Sequence, residues 1–483
     1  MMRDCRKNQR SADYQPLAVP TGARSRRLVT VEPALGFYML AQGFIIALQA
    51  EYVQGWVSRI HNYTLPNNGE NGTCSINKSS SESVLEDKIQ AESSRWLMYL
   101  TIANALPSLF TTLIFASCSD SVGRRFALLL PSFGQLLNMC VWILTARYAL
   151  PLEYLIGSMF LRGLMGSSTL FITSCFIYIS DITTKNNRTT RIIIGECVLL
   201  STTGISQLCA GYVLHKYDFV VAFAVAAGLS GMAFIYLALP FILLETVVNK
   251  GNVISAVKTS LRGILILTFK KNVAYRKTFY ILNFIMFTVF MFSNSTVSLL
   301  SIYFLGEPFC FSYLVSGYYT TVLLLTPAIG LLLGALLLKR FMNDFWLLHL
   351  SMLSTVLFLT VSALAQTTLL AFVGAALGIF KSIFAPACRS IASKMSLPEE
   401  QGAVFGCLGF SHSLAVFLSP LVLNNIYAAT VSTLPTFVFW SCAGVCLLPI
   451  ISIVYMQYNN KIEQMKKLEC SLTSERENDV FVN

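Results

Sequence analysis

Twelve apolar runs of about 20 residues each punctuate this chain, and that is the length a helix needs to cross the hydrocarbon of a bilayer. Inside lipid every backbone N–H and C=O must find a partner within the protein, so isolated spanning segments have to be helices. The runs are predicted at about 33–54, 96–118, 126–146, 151–180, 191–213 and 219–244, then at about 277–305, 313–338, 345–366, 368–393, 402–424 and 433–457. Composition points the same way. Of 483 residues, 55% are hydrophobic and only 12% charged, whereas soluble domains run near a quarter charged. An all-α membrane protein is expected.

The net charge of +11 is placed between the apolar runs rather than spread over a face. That placement argues against nucleic-acid binding, which needs a basic surface on a soluble fold. With the N-terminus inside, cytoplasmic segments collect about 27 of the 35 Lys and Arg and external ones about 6, the bias that sets membrane orientation. Both termini are therefore expected in the cytoplasm. Residues 1–32 and 458–483 read as cytoplasmic tails, 33–244 and 277–457 as two six-helix bundles, and 245–276 as the cytoplasmic linker between them. The external loop 55–95 carries three glycosylation triplets, beginning at Asn62, Asn71 and Asn77. Six spans plus six matches transporters built from two similar halves, with the solute held between them near mid-membrane. No phosphate loop, metal-ligand spacing or catalytic constellation is present, so neither an enzyme, a metal nor a cofactor is expected.

The sharpest local signal is Asp120-Ser121-Val122-Gly123-Arg124-Arg125, in the tight turn between spans two and three. Gly123 permits the turn, and Asp120 with Arg124 and Arg125 can form charge-assisted bonds across helix ends. The cluster resembles the loop signature of the major facilitator superfamily, where it latches one conformation; a degraded copy, Lys339-Arg340 with Asn343-Asp344, follows span eight. Further motifs run in order along the chain: Val31-Glu32-Pro33, Ser180-Asp181, Arg188, Arg191 and Glu196, Cys310, Pro386 to Arg389, Lys394, and Glu400 to Ala403. Their order and spacing resemble the proton-coupled folate transporter family, solute carrier family 46. That resemblance implies a major facilitator fold of two pseudo-symmetric six-helix bundles.

It also implies an activity: secondary active, proton-coupled symport of an organic anion such as a folate, with the proton as coupling ion and membrane lipid as surroundings. Family relatives also move muropeptides or steroid conjugates out of endolysosomes, which is the alternative cargo and location to the plasma membrane. A receptor or scaffold that kept the fold and lost turnover is the alternative of another class. By the resemblance Glu196 is the acidic, proton-linked residue, Arg389 a transport arginine, and Cys74 and Cys310 a bridge between external loops. Cys74 and Cys310 lie on the predicted external side, where thiols tend to be oxidised; unpaired thiols are the other reading.

Ionisable side chains within spans are functional candidates by default. Arg162 lies about eleven residues into span four and Lys381 about thirteen into span ten, so at 1.5 Å per residue each sits near the midplane. Spans four and ten are counterparts in the two halves and, by the resemblance, line the central cavity. The two cations are thus candidates to bind an anion, with static pairing to a protein carboxylate or carbonyl as the alternative. Neither aligns with a basic residue of the folate transporter. Glu196 is close in sequence to Arg191, and a structural contact between them is its alternative role. His412, mid-span in helix eleven, is a candidate for proton exchange or plain packing. Ser293, followed by Asn294, replaces a folate-transporter histidine in span seven and is a substrate-site candidate. Glu51, near the outer end of span one, is a candidate gate residue.

Overall fold

The computed structural model describes residues 30–61, 80–239, 243, 245, 276–305, 309, 311, 313–396, 400–430 and 433–459. These residues form a helical bundle: α1 (Glu32–Ile60), α2 (Ser80–Val122), α3 (Arg124–Tyr148), α4 (Glu153–Ile182), α5 (Lys185–Lys216), α6 (Phe219–Ala238), α7 (Arg276–Leu305), α8 (Tyr313–Leu333, carried on to Phe341 through a π-helical turn), α9 (Asp344–Leu364), α10 (Thr368–Met395), α11 (Gln401–Thr430) and α12 (Phe437–Asn459). Eleven of them are long and apolar enough to cross a membrane, and α7, at 30 residues, completes the six-plus-six arrangement. Each predicted span falls on one of these helices.

The main departure is at the loop expected to be the first external one. α1 runs on to Ile60 and α2 begins at Ser80, so helix occupies both ends of the segment expected to be loop. The imidazole of His61 meets the Glu92 carboxylate at 2.9 Å and ties the two helices together there. At about 65 Å the 43-residue α2 exceeds the hydrocarbon thickness, so its first turns stand clear of it. Asn62, Asn71, Cys74, Asn77 and Cys310, and most of the predicted linker, lie outside the described residues.

Apolar side chains point both ways. In the N-terminal half, one buried cluster gathers Leu35, Phe171, Phe176 and Ile179, and a second packs Tyr52, Trp142 and Phe223. The C-terminal half has two more, around Met286 and Leu408 and around Phe304, Tyr319 and Phe439. A small fifth cluster, including Ile193, Leu331 and Ile383, crosses the seam between α5, α8 and α10. Meanwhile Phe110, Ile235, Ile329 and Ile451 are exposed on the outside; such an apolar surface is tolerable only against lipid. Across the seam α11 packs on α2 and α8 on α5. The α11–α2 approach is close because Gly402, Gly406 and Gly409 face α2; a Cβ on Gly406 would meet the Leu113 carbonyl oxygen at 3.2 Å.

Two counterpart helices are interrupted at mid-length. α4 breaks at Met165 and Gly166, where Gly166 has φ +91° and Ser167 φ +54°. α10 tightens into 3-10 geometry over Gly378–Ile383. Broken helices distort the backbone ladder, and at membrane depth side chains reinforce it. Thr111 and Thr112 of α2 donate to the carbonyls of Gly163 and Gly166, at 2.9 and 3.4 Å. In the other half, Ser351 and Ser354 of α9 donate to the carbonyls of Lys381 and Leu377, at 2.8 and 2.6 Å, and accept from the N–H groups of Phe384 and Phe380.

Candidate functional site

Both intramembrane cations sit at these breaks. Arg162 lies in the turn just before Gly166 and is 3% exposed. Its guanidinium donates to the amide oxygen of Gln42 on α1 and, at 3.5 Å, to that of Gln135 on α3. Gln135 in turn donates to the Tyr38 carbonyl at 3.2 Å. These partners are neutral dipoles, so the Arg162 charge is solvated but not cancelled. Both glutamines escaped the sequence reading; polar amides inside apolar runs were the signal that marked them.

Lys381 lies inside the 3-10 segment itself. Among the described residues its ammonium has no hydrogen-bond or ion-pair partner. It sits 4.1 Å from the centroid of the Phe358 ring, a cation–π contact. It also lines a cavity of about 150 Å³ walled by α7, α8, α9, α10 and α12, with Leu200 of α5 the one wall residue from the N-terminal half. Ser293 lines the same cavity, so two of the predicted substrate residues come together. Arg162 and Arg389 are not among its lining residues. Asn294 follows Ser293 in α7, and its side chain lies outside the described ones.

Glu196 and Arg389 are both buried, at 7% and 5% exposure, and form an ion pair that joins α5 to α10 across the seam. The local partner suggested by the sequence, Arg191, is not the one used. Five positions is not a helix-facing interval, whereas three or four is; Arg191 turns to α1 instead and binds Glu32 at 2.6 Å. The Arg389 guanidinium also covers the ring of Phe176 on α4, 4.5 Å from its centroid. His412 stacks on Phe290 of α7, with ring centroids 3.9 Å apart. Glu51 is an exposed side chain on α1.

Below this level the seam is closed at the end predicted to be cytoplasmic. Gly123, at φ +126°, makes the sharp turn expected of it. Asp120 pairs with Arg124 at 2.6 Å and accepts the Gly402 N–H of α11 at 3.0 Å. Arg124 reaches Asp181 on α4 at 2.8 Å. Arg125 does not join Asp120: its guanidinium donates to the carbonyls of Leu237 and Ala238 at the end of α6, at 2.9 and 2.7 Å. Glu245, read from sequence as the start of the linker, receives the Arg124 N–H at 2.8 Å and belongs to the cluster. The second copy is equally built. Asp344 binds Lys339 at 2.5 Å and Lys394 at 2.6 Å, and accepts from Thr189 of α5 at 3.1 Å. Arg188 donates to the Ser393 carbonyl at 2.9 Å, and Ser180 to Gln401. Of these five links, the three that involve neither lysine cross between halves.

Comparison with known proteins agrees with this architecture. The family model described as Major Facilitator Superfamily matches residues 282–467. The lysosomal proton-coupled steroid conjugate and bile acid symporter SLC46A3 of Gallus gallus is 30% identical over 440 residues, covering 88% of this chain and 93% of the relative. The chain belongs to solute carrier family 46. The proton-coupled folate transporter of Bos taurus is 25% identical over 409 residues, covering 83% of this chain and 88% of that protein. Among solved structures the human organic anion transporter MFSD10 superposes with a TM-score of 0.68 at 15% identity, over 88% of this chain and 97% of that one. The E. coli fucose:proton symporter FucP gives 0.64 at 11%, over 88% and 97%. These two likenesses carry the fold alone. As a family 46 member the chain is a multi-pass transporter of the major facilitator superfamily, and the relatives it matches are transporters rather than enzymes.

Proposed function

We propose that this family 46 protein is a proton-coupled symporter of organic anions, and that the Glu196–Arg389 pair is where proton and anion are linked. The carrying observation is that pair, buried between α5 and α10 and shared by the two halves. With Glu196 ionised, the pair is electrically closed. Protonating Glu196 leaves the Arg389 cation without its counter-charge in a low-dielectric site, where an uncompensated charge is costly. An arriving anion restores the balance. Proton loading thereby raises affinity for anions, and release of either ion favours release of the other.

Arg162 and Lys381 add positive charge that no protein carboxylate cancels among the described residues. Lys381 and Ser293 contact the solute, while Arg162, wrapped in amides, contributes attraction at longer range. His412, stacked against Phe290, serves as a proton relay in this scheme, and Glu51 guards the outer mouth. The Asp120 and Asp344 clusters hold the cytoplasmic end shut while the site loads from the other side, and the halves then rock about it. The relatives' names supply the cargo classes: steroid conjugates and bile acids from one set, folates from the other. Ser293, in place of the folate transporter's histidine, favours the steroid-conjugate class. The relative that carries that class is named as lysosomal, so an endolysosomal membrane is the matching location, with the plasma membrane the alternative. N-glycosylation at Asn62, Asn71 and Asn77 and a Cys74–Cys310 bridge complete the proposed external face.

The test is uptake by vesicles containing the purified full chain, with an imposed proton gradient, using a labelled steroid sulfate and labelled folate. Gradient-driven accumulation that a protonophore abolishes is expected. Glu196→Gln should lose accumulation yet keep exchange of labelled for unlabelled solute. Binding with no accumulation by the unmodified chain, and no effect of Glu196→Gln, would mean a receptor or scaffold.

A further inference from the structure

The Lys381 cavity has a size and a chemistry that together describe part of its ligand. Its volume of about 150 Å³ matches the engineered apolar cavities that admit a benzene. That is room for one ring. The wall is mostly apolar, with the rings of Phe290, Phe292 and Phe358 and the side chains of Leu323 and Pro327. Aromatic walls favour a flat group that can stack or meet them edge-on. One ammonium, that of Lys381, enters this wall, and its present neighbour is a π-face rather than a carboxylate. The hydroxyl residues Ser293, Thr296, Thr355 and Ser382 also line the cavity, but among the described residues no negative charge meets the ammonium, so an anion that reached it would bind with its charge desolvated and its attraction strengthened.

We propose that the cavity is a subsite for a single ring that carries an anionic group directly on it, with the anion on Lys381 and the ring between the phenylalanines. The inference rests on the anion-symport reading and deepens it: the solute presents an aryl-anion end to the C-terminal half, and the rest of it lies in the seam. Leu200 closes the cavity from α5, so seating the ring engages both halves at once. A ring without charge leaves Lys381 unsatisfied. An anion without a ring leaves the aromatic wall unfilled. Only the combination uses both.

Purified full chain in nanodiscs, titrated with labelled benzenesulfonate, tests the subsite with a probe whose charge does not depend on pH. Saturable binding is expected, with methanesulfonate and the neutral benzenesulfonamide at least tenfold weaker competitors. Lys381→Met should weaken benzenesulfonate tenfold or more, and Lys381→Arg should recover part of that loss. Ser293→Phe, which fills the cavity and leaves the lysine, should abolish binding independently. Equal affinity for methanesulfonate, or unchanged binding in both Lys381→Met and Ser293→Phe, overturns the subsite. The same preparations separate this from the broader reading. Proton-driven accumulation of a steroid sulfate without Lys381-dependent aryl binding sinks the subsite alone, whereas Lys381-dependent aryl binding without any accumulation keeps the subsite and sinks the symporter.

Discussion

The fourth and tenth helices are counterparts in the two halves, each broken at mid-length and each carrying a cation there, yet the two breaks are finished differently. In α4 the break is a glycine hinge with two positive-φ residues, and the cation beside it is enclosed by Gln42 and Gln135. In α10 the break is a 3-10 turn stitched on both its N–H and C=O sides by Ser351 and Ser354, and the cation within it is left facing a cavity. The contrast teaches that a charge near the midplane has two stable fates. Surrounded by neutral dipoles, it becomes a keystone that holds helices in place. Set on a serine-stitched turn with no carboxylate opposite it among the described residues, it is a site awaiting a partner.

The largest effect that separates these fates should come from Arg162. Arg162→Ala removes a guanidinium that links α4 to α1 and α3 and leaves two buried amide oxygens short of donors. The expected cost is about 3–4 kcal/mol, the sum of a large-to-small core change and orphaned polar groups. Thermal unfolding in detergent would show it as a drop of many degrees with the solute present or absent. A melting temperature equal to that of the unmodified chain would put Arg162 in the ligand class with Lys381 and dissolve the comparison.

The next effect concerns how firmly each break is held. Replacing Ser351 and Ser354 together by Ala removes four side-chain hydrogen bonds to the α10 backbone, for about 2–3 kcal/mol. The matching pair in the other half, Thr111→Val with Thr112→Val, removes side-chain donors from the Gly163 and Gly166 carbonyls, which keep the N–H groups of Gly166 and Leu170, and should cost about half as much. Transport sharpens the point. The serine pair positions Lys381, so its loss should cut solute uptake more than its stability cost alone explains, and the threonine pair should not. Uptake normalised to folded protein, measured for both pairs, decides this.

Much of this arrangement was legible in the sequence, and the limit falls where contacts become non-local. Apolar runs announce spans because lipid admits nothing else, and the Asp120–Arg125 turn announces itself because Gly123 stands among charges. Arg162 and Lys381 stand out because any ionisable group in a span is conspicuous, and Ser293 because the family resemblance puts it where the folate transporter has a histidine. What could not be read was partnership. Glu196 has Arg191 nearby in sequence, but its partner is Arg389, brought in by another half of the molecule. Arg125 resembles Arg124 in type and position, yet one serves α6 and the other α4, because adjacent residues on a helix face different neighbours. Glu245 looked like the first residue of a linker because its anchor, the exposed N–H groups at the start of α3, lies some 120 positions back. The helix breaks were hidden too, since Gly166 and the Gly378 region sit inside runs long enough to be read as single spans.

The smallest stability effect is the one most specific to the comparison. Lys381→Met keeps nearly the length and bulk of the side chain and removes only the charge. No carboxylate among the described residues would be stranded, and Phe358 would keep an apolar neighbour in place of the ammonium. Such a swap should cost less than about 1.5 kcal/mol, and because an unpaired buried charge is itself unfavourable, the variant is expected to melt at or above the unmodified temperature. Its transport should nevertheless fall at least tenfold, chiefly through weaker solute binding. Arg162→Met offers the mirror image: similar bulk, but two amides left behind, hence a clear loss of stability. If the two methionine variants melted alike, the difference between a keystone and an open site would not be a property of their surroundings, and the chemistry assigned to the tenth helix would have to be sought elsewhere in the seam.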